Sequence, residues 1–353
     1  MERSSQRKII PVQPTWTLHE LMGALAQALS GTGPALSTTP IALHEVDSSC
    51  AMVIATTGSS GISKEVALSA TALLTNARSS LKFLGAVAGE RWSLLLPTTH
   101  VARINVLIRS LELGTEPIDL RNATRYIDVD YTAIVPTQLF NALHGDDELL
   151  RHLVAAKKVL VGGAALAPSL AQEASQAGIK IITTYGSTET AGGCIYDGRA
   201  LDEVGVEIEN GRIVITGKVL ALGYLSHPEL WKDRSRFISP DLGEIVDGKL
   251  RVLGRSDDVI ISGGANISLQ RVEETLQRAF PDLLCAAVGV DDERWGRALH
   301  IAYVGSLDTE GASAELVRAL GAKAKPKGFH QLRELPLIGI GKVDRKTLEE
   351  MLR

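Results

Sequence analysis

Four short polar segments of this 353-residue chain carry residue types that could bind and activate a phosphorylated ligand. In Thr56-Thr57-Gly58-Ser59-Ser60-Gly61-Ile62-Ser63-Lys64, glycines let backbone amides turn inward, hydroxyls add donors and a terminal lysine adds positive charge. Those are the parts of a phosphate cradle. The segment is not a Walker A loop, because the sixth position counted from Gly58 would have to be glycine and is Ser63. Taken alone it also suits a Ser/Gly surface turn. In Tyr185-Gly186-Ser187-Thr188-Glu189-Thr190, an aromatic face, hydroxyls and a carboxylate suit stacking on a base, binding a phosphate and holding Mg²⁺. The same residues alone also suit a core tyrosine and a helix start. The third segment joins Asp241, Arg255-Ser256-Asp257 and Ser262-Gly263-Gly264-Ala265-Asn266, where isolated charges are commonly no more than hairpin-rim residues. The fourth runs from Leu335-Pro336 through Gly341-Lys342-Val343 to Asp344-Arg345, a short mobile loop offering one lysine before a capped final helix.

These segments need a scaffold, and the hydrophobic pattern describes one. Thr17-Leu18-His19-Glu20 reads as a capping box, and Leu18, Leu21, Met22, Leu25 and Leu29 share one helical face. Residues 50–190 then alternate strand and helix signals. An apolar run from Cys50 to Ala55 leads into the Gly/Ser loop, which is expected to open a helix near Leu68. Strands expected at Trp92–Leu96, Tyr131–Val135, Lys157–Val161 and Ile179–Thr183 alternate with helices at Val101–Leu111, after Pro136, and at Pro168–Ala177. The pattern predicts a layered α/β fold with a largely parallel sheet, in which ligands sit beyond the carboxyl ends of strands. From Val204 the texture changes. Asn210-Gly211 and Asp247-Gly248 supply the positive φ angles of two-residue hairpin turns and predict an antiparallel β region. Beyond Arg255, a helix over Ser268–Phe280, strands at Cys285–Val290 and Leu299–Val304 and a last helix from Asp344 predict a small α+β unit. The expected domains are therefore 1–255 and 256–353.

The bulk numbers exclude several classes. Hydrophobic residues make up 45% and charged residues 22%, enough apolar surface for a substantial core without disulfides or metals. The net charge of −4 with mixed signs leaves no basic footprint for nucleic acid. No apolar run approaches the ~20 residues of a membrane span. Arg3, Arg7 and Lys8 precede an apolar stretch, but the capping box makes that stretch an amphipathic helix rather than an export signal. Cys50, Cys194 and Cys285 are far apart and read as buried apolar residues of a reducing cytosol, so a cytoplasmic protein is expected.

In their order and spacing the four segments resemble the AMP-forming adenylate superfamily of acyl-CoA synthetases, peptide-synthetase adenylation domains and luciferases, over roughly residues 50–345. The resemblance implies a large N-terminal α/β domain and a small, mobile C-terminal domain. It implies that Thr57, Ser59, Ser60 and Lys64 line a pyrophosphate loop. Tyr185 and Gly186, near Gly163 and Ala164, would face adenine. Thr188 would contact the α-phosphate, Glu189 the Mg²⁺, and Asp241 and Arg255 the ribose. Asp257 would be the hinge, Gly263 and Gly264 would face coenzyme A, and Lys342 would assist adenylation. The implied ligands are ATP, Mg²⁺, coenzyme A and a small carboxylic acid, with a homodimer permitted. Ser63 departs from the family, which usually has proline there.

Val135-Pro136-Thr137-Gln138-Leu139, Thr184 through Gly198 and Leu220-Ala221-Leu222-Gly223-Tyr224 look most like the compact bacterial o-succinylbenzoate–CoA ligases of menaquinone biosynthesis. In that subfamily His100 would stand beside the acyl pocket, and Gly192-Gly193 would leave room beside Tyr185 for an aromatic acyl group. Arg103 stands where the subfamily has glycine, a new cation able to alter acid selection. Two alternatives stay open: a ligase for another acid or a carrier-protein thiol, and a non-catalytic nucleotide-binding relative. The second is disfavoured by Lys342, which a pure binder would not need.

Overall fold

The computed structural model describes residues 5–57, 63–96, 100–256, 258–281, 283–338 and 342–352. The first helix, Leu18–Ser30, starts as the sequence predicts. Thr17 Oγ1 accepts from the Glu20 amide at 3.2 Å, Glu20 Oε2 accepts from the Thr17 amide at 2.7 Å, and Gly31 closes the helix at φ 78°. Its Leu21, Met22, Leu25 and Ala28 are buried against the strands that follow.

The strand Cys50–Thr57 does not lead into a helix. It pairs antiparallel with a strand that the sequence reading missed, Ser63–Ser69, through Thr57↔Ser63 and Thr56↔Lys64. The Gly/Ser segment therefore lies between two strands of one hairpin, and the helix begins at Ala70, after Ser69 caps the Ala72 amide at 3.0 Å. No turn residue separates Val66-Ala67-Leu68 from the apolar helix, so only Ser69 signalled the break. This hairpin belongs to a six-stranded sheet with the order Gly223–Tyr224, Ser63–Ser69, Cys50–Thr57, Ala35–Ser37, Gln6–Pro11, Glu45–Asp47.

The second sheet holds the expected parallel strands Tyr131–Ile134, Lys158–Val161 and Ile181–Ser187. Ile181–Ser187 runs past its expected end, so Tyr185 lies inside the strand, which then pairs antiparallel with Gly192–Tyr196. The expected strand at Trp92–Leu96 shortens to Ser93–Leu94, in a separate two-stranded pair with Ile118–Asp119. Helices Val101–Glu112, Pro136–Leu143 and Pro168–Gln176 form where the pattern places them. Both predicted hairpins form: Asn210 and Gly211 adopt φ 50° and 78°, and Asp247 and Gly248 adopt 51° and 72°. They build an antiparallel sheet of Val204–Glu209, Arg212–Gly217, Arg236–Val246 and Lys249–Arg255.

The strands from Val259 to Leu332 form another sheet, with Gly328–Leu332 added parallel to Gly296–Val304. Helices Leu269–Ala279 and Thr309–Leu320 bury Val272, Leu276, Ala312 and Leu316 against it. The final helix, Arg345–Leu352, buries Leu348 beside Leu335 and Val288. The arrangement is a mixed α/β fold, less parallel than expected because Ser63–Ser69 returns antiparallel to Cys50–Thr57. All three cysteines are buried and free. Among the described residues, no helix is long and apolar enough to cross a membrane.

Candidate active site

Two polar groups meet at the carboxyl end of strand Ile181–Ser187. In the first, the Tyr185 hydroxyl donates to Asp241 Oδ2 at 2.7 Å and lies 3.0 Å from Ser239 Oγ, which in turn donates to the same Asp241 oxygen at 3.0 Å. Burial, reinforced by the negative charge of Asp241, pushes the Tyr185 hydroxyl far above the ordinary phenol range, so it remains a donor. Asp241 faces Arg255 directly across neighbouring strands, with Arg255 Nη1 3.6 Å from Asp241 Oδ1. Ser239 was not singled out in the sequence. Its position two residues before Asp241, on the same side of a strand, was the available signal.

In the second group, the Tyr224 hydroxyl donates to Glu189 Oε1 at 2.7 Å, and Lys64 Nζ stands 5.0 Å from the centre of the Tyr224 ring. The strand Gly223–Tyr224 pairs with Ala67 and Val66, which brings the loop lysine and the motif glutamate to one place. Glu189 Oε2 has no hydrogen-bond partner among the described residues, and the buried Ser187 Oγ has none either. A carboxylate oxygen left without a partner among the described residues is a hard oxygen ligand of the kind that fits a cation such as Mg²⁺.

Glycine placement explains how these groups come so close. Gly186 has φ 157°, sits at an irregularity in the register with Gly192–Tyr196, and a Cβ there would lie 2.1 Å from the Gly192 carbonyl oxygen. A Cβ on Gly162 would lie 2.2 Å from Thr184 Oγ1, so the turn through Gly163 and Ala164 packs directly beside the residue preceding Tyr185.

Residues 10–225 match the AMP-binding enzyme family. The chain belongs to that family. It is 34% identical to a probable 2-succinylbenzoate–CoA ligase of Mycobacterium tuberculosis (strain H37Rv), covering 93% of this chain and 94% of the relative. It is 29% identical to the 2-succinylbenzoate–CoA ligase of Escherichia coli K12, over 82% of this chain and 70% of that one. Among solved structures, the o-succinylbenzoate CoA synthetase of Bacillus subtilis in complex with its acyl-adenylate intermediate shares the fold. It gives a TM-score of 0.76 at 22% identity, covering 97% of this chain and 83% of that one.

The remaining expected residues of this AMP-binding enzyme that the structure describes fall into four places. His100 immediately precedes helix Val101–Glu112, whose Val101 and Asn105 lie against Gly192. The room expected at Gly192 is filled. A Cβ there would lie 2.1 Å from Asn105 Nδ2, which donates to the Ala191 carbonyl at 2.8 Å, so the missing side chain accommodates Asn105. Arg103, on the same helix, is 5% exposed, and burial lowers its guanidinium to about 10; its Nε has no partner among the described residues. The nearby Asp119 is engaged by Arg121 at 2.8 Å.

Gly263 and Gly264 turn between Val259–Ser262 and Ala265–Ser268, away from the two polar groups in the strand order. Gly263 has φ 53°, and a Cβ on it would lie 2.3 Å from the Trp295 ring, while Lys323 Nζ donates to its carbonyl at 3.2 Å. Lys342 opens the strand Lys342–Val343, which pairs with Leu337–Ile338 as a small separate hairpin rather than the open loop expected. The side chains of Thr57 and Lys342, and the whole of Ser59, Ser60 and Asp257, lie outside the described residues. Thr188 is half-buried in the short 3₁₀ turn Thr188–Thr190.

Proposed function

We propose that this AMP-binding enzyme joins o-succinylbenzoate to coenzyme A, forming o-succinylbenzoyl-CoA, AMP and pyrophosphate through an acyl-adenylate. The observation that carries this reading is the meeting of Tyr185–Asp241–Arg255 and Lys64–Tyr224–Glu189 at one strand end. The acid is taken from the named activities of relatives that match most of the chain.

In this reading Tyr185 and Gly186 face adenine beside Gly163 and Ala164, and Asp241 and Arg255 hold the ribose hydroxyls. Thr57, Ser59, Ser60 and Lys64 hold the outgoing pyrophosphate, and Thr188 holds the α-phosphate. Glu189 would hold Mg²⁺, which when bound supplies positive charge against the phosphate oxygens. The acid carboxylate must approach an anionic phosphorus, and the Lys342 ammonium between them offsets that repulsion and keeps the attack in line. A P–O bond forms from the carboxylate oxygen to the α-phosphorus as the bond to pyrophosphate breaks. The thiolate of coenzyme A then attacks the acyl carbon, and AMP leaves.

The reading divides the chain into a unit of residues 1–255 and a mobile unit of residues 256–353 that rotates about Asp257. That rotation withdraws Lys342 and brings Gly263 and Gly264 to the pantetheine arm. His100 belongs to the acyl side, Gly192 serves it only by making way for Asn105, and the enzyme works in the cytoplasm. The test supplies ATP, Mg²⁺, coenzyme A and o-succinylbenzoate and measures AMP and thioester. Turnover of other aryl acids with o-succinylbenzoate inert would reject the proposed acid, and ATP binding without pyrophosphate release from any acid would reject the ligase.

A further inference from the structure

Tyr224 has no place among the roles assigned so far, yet it touches both phosphate-side charges. Its hydroxyl donates to Glu189 Oε1 at 2.7 Å, and its ring stands 5.0 Å from Lys64 Nζ. The Glu189 main chain is tied to the same segment, since the Ala221 amide donates to the Glu189 carbonyl at 2.8 Å. The tyrosine itself is held on all sides. It is 7% exposed, its strand pairs with Val66 and Ala67, and the next amide, Leu225, donates to the Glu65 carbonyl at 2.9 Å. Behind the ring, Trp231 packs at 5.9 Å between centroids, and Phe237 packs on Trp231 at 5.1 Å.

A tyrosine needed only to fill this core would be served as well by phenylalanine. The hydroxyl instead occupies one oxygen of a carboxylate whose other oxygen has no partner among the described residues. An O–H donor to a carboxylate is a charge-assisted bond, directional enough to fix the rotation of the acid group. We infer that Tyr224 is the positioning residue of the Glu189 metal site, its hydroxyl turning Glu189 Oε2 toward the divalent cation while its ring seats Lys64 at a set distance. The phosphate lysine and the metal carboxylate are thereby spaced by one rigid side chain instead of by two flexible ones. This rests on the reading above that Glu189 holds Mg²⁺.

The experiment titrates Mn²⁺ into the full chain in the presence of α,β-methylene-ATP and follows free Mn²⁺ by electron paramagnetic resonance. Loss of an outer partner of a metal ligand typically weakens metal binding about 10–100-fold. Tyr224→Phe is therefore expected to weaken Mn²⁺ about 10-fold or more, with an unchanged melting temperature and with adenylation restored by raising Mg²⁺. Tyr224→Leu, which also removes the seat of Lys64, is expected to raise the KM for ATP even at saturating Mg²⁺. Mn²⁺ affinity in Tyr224→Phe equal to wild type overturns the inference. Should Tyr224→Phe melt early, the comparison moves to Glu189→Gln: equal Mn²⁺ loss in that variant with and without Tyr224→Phe supports the inference, and additive losses overturn it. A wild-type chain that forms no acyl-adenylate rejects the functional reading instead, which separates the two failures.

Discussion

A lysine acts in the proposed adenylation by charge and reach, and Lys342 can be removed without touching the nucleotide-side groups. Tyr185, Asp241, Arg255 and Lys64 all belong to strands that precede residue 256, so Lys342→Ala is expected to leave ATP binding intact. Acyl-adenylate formation should fall by about 10²–10³ or more, the usual loss when one preorganised electrostatic contact to a transition state is deleted. Single-turnover pyrophosphate release beside calorimetric ATP binding reads the two separately, and a near-normal rate would sink the assignment. At this scale the reactive residue types and their order were legible, because glycine, hydroxyl, carboxylate and lysine each announce a chemistry. Their partners were not. Ser239, Tyr224 and Asn105 reach the site through strand register and helix packing that join residues as distant as Asn105 and Ala191.

Most elements with punctuation were read correctly, and a strand without it was lost. Asn210-Gly211 and Asp247-Gly248 demand positive φ and mark their hairpins, and Thr17–Glu20 marks the first helix. Ser63–Ser69 runs into its helix without glycine or proline, so the strand was absorbed into the helix and the Gly/Ser segment was given the wrong neighbour. Gly328–Leu332 was missed although Pro326 and Gly328 mark its start, because Phe329-His330-Gln331-Leu332 is a short, half-polar run, and it creates a feature the sequence hides. Its His330 Nε2 lies 2.8 Å from His300 Nδ1 on the parallel strand Gly296–Val304, with the rings stacked at 5.1 Å. Burial lowers the His300 pKa, with the neighbouring imidazole and Lys327 acting in the same direction and Asp292 opposing; burial lowers that of His330 as well. A histidine depressed in the folded state contributes stability above its unfolded pKa of about 6.5 and loses it as pH falls through the lower folded value. The melting temperature should therefore drop on acidification from about pH 7 to about pH 5. His330→Gln keeps one hydrogen-bonding group but cannot take up the proton, so its melting profile should flatten over that window; a slope equal to wild type would show that the pair does not couple to folding.

The whole molecule must reconcile two demands, since the acid meets ATP first and the thiol afterwards at one site. The chain on either side of residue 257 is tied by short-range contacts: the Ser256 amide donates to the Pro240 carbonyl at 2.8 Å, and the Asp258 amide to the Arg255 carbonyl at 3.2 Å. Beyond them, Ser268 Oγ donates to the Leu253 carbonyl at 3.4 Å, and a Cβ on Gly254 would lie 3.1 Å from Gln270 Oε1, so helix Leu269–Ala279 starts close against that strand. The final helix, which follows the lysine hairpin, is tied to the later unit: Arg345 bridges Glu273 at 2.8 Å and Asp258 at 3.7 Å, while Arg297 bridges Glu349 at 2.8 Å. Leu348 of the same helix is buried with Val288 and Leu335. In the proposed reading a unit braced in this way turns as one body about a single residue. Proline at 257 would fix φ near −65° and also restrict Ser256, removing the rotation while leaving every group of the nucleotide site in place. Asp257→Pro is thus expected to retain most acyl-adenylate formation and to lose most thioester formation, measured as pyrophosphate release against coenzyme A consumption from supplied acyl-adenylate. Equal losses in the two half-reactions would mean that residue 257 serves the fold and that the turn between half-reactions lies elsewhere.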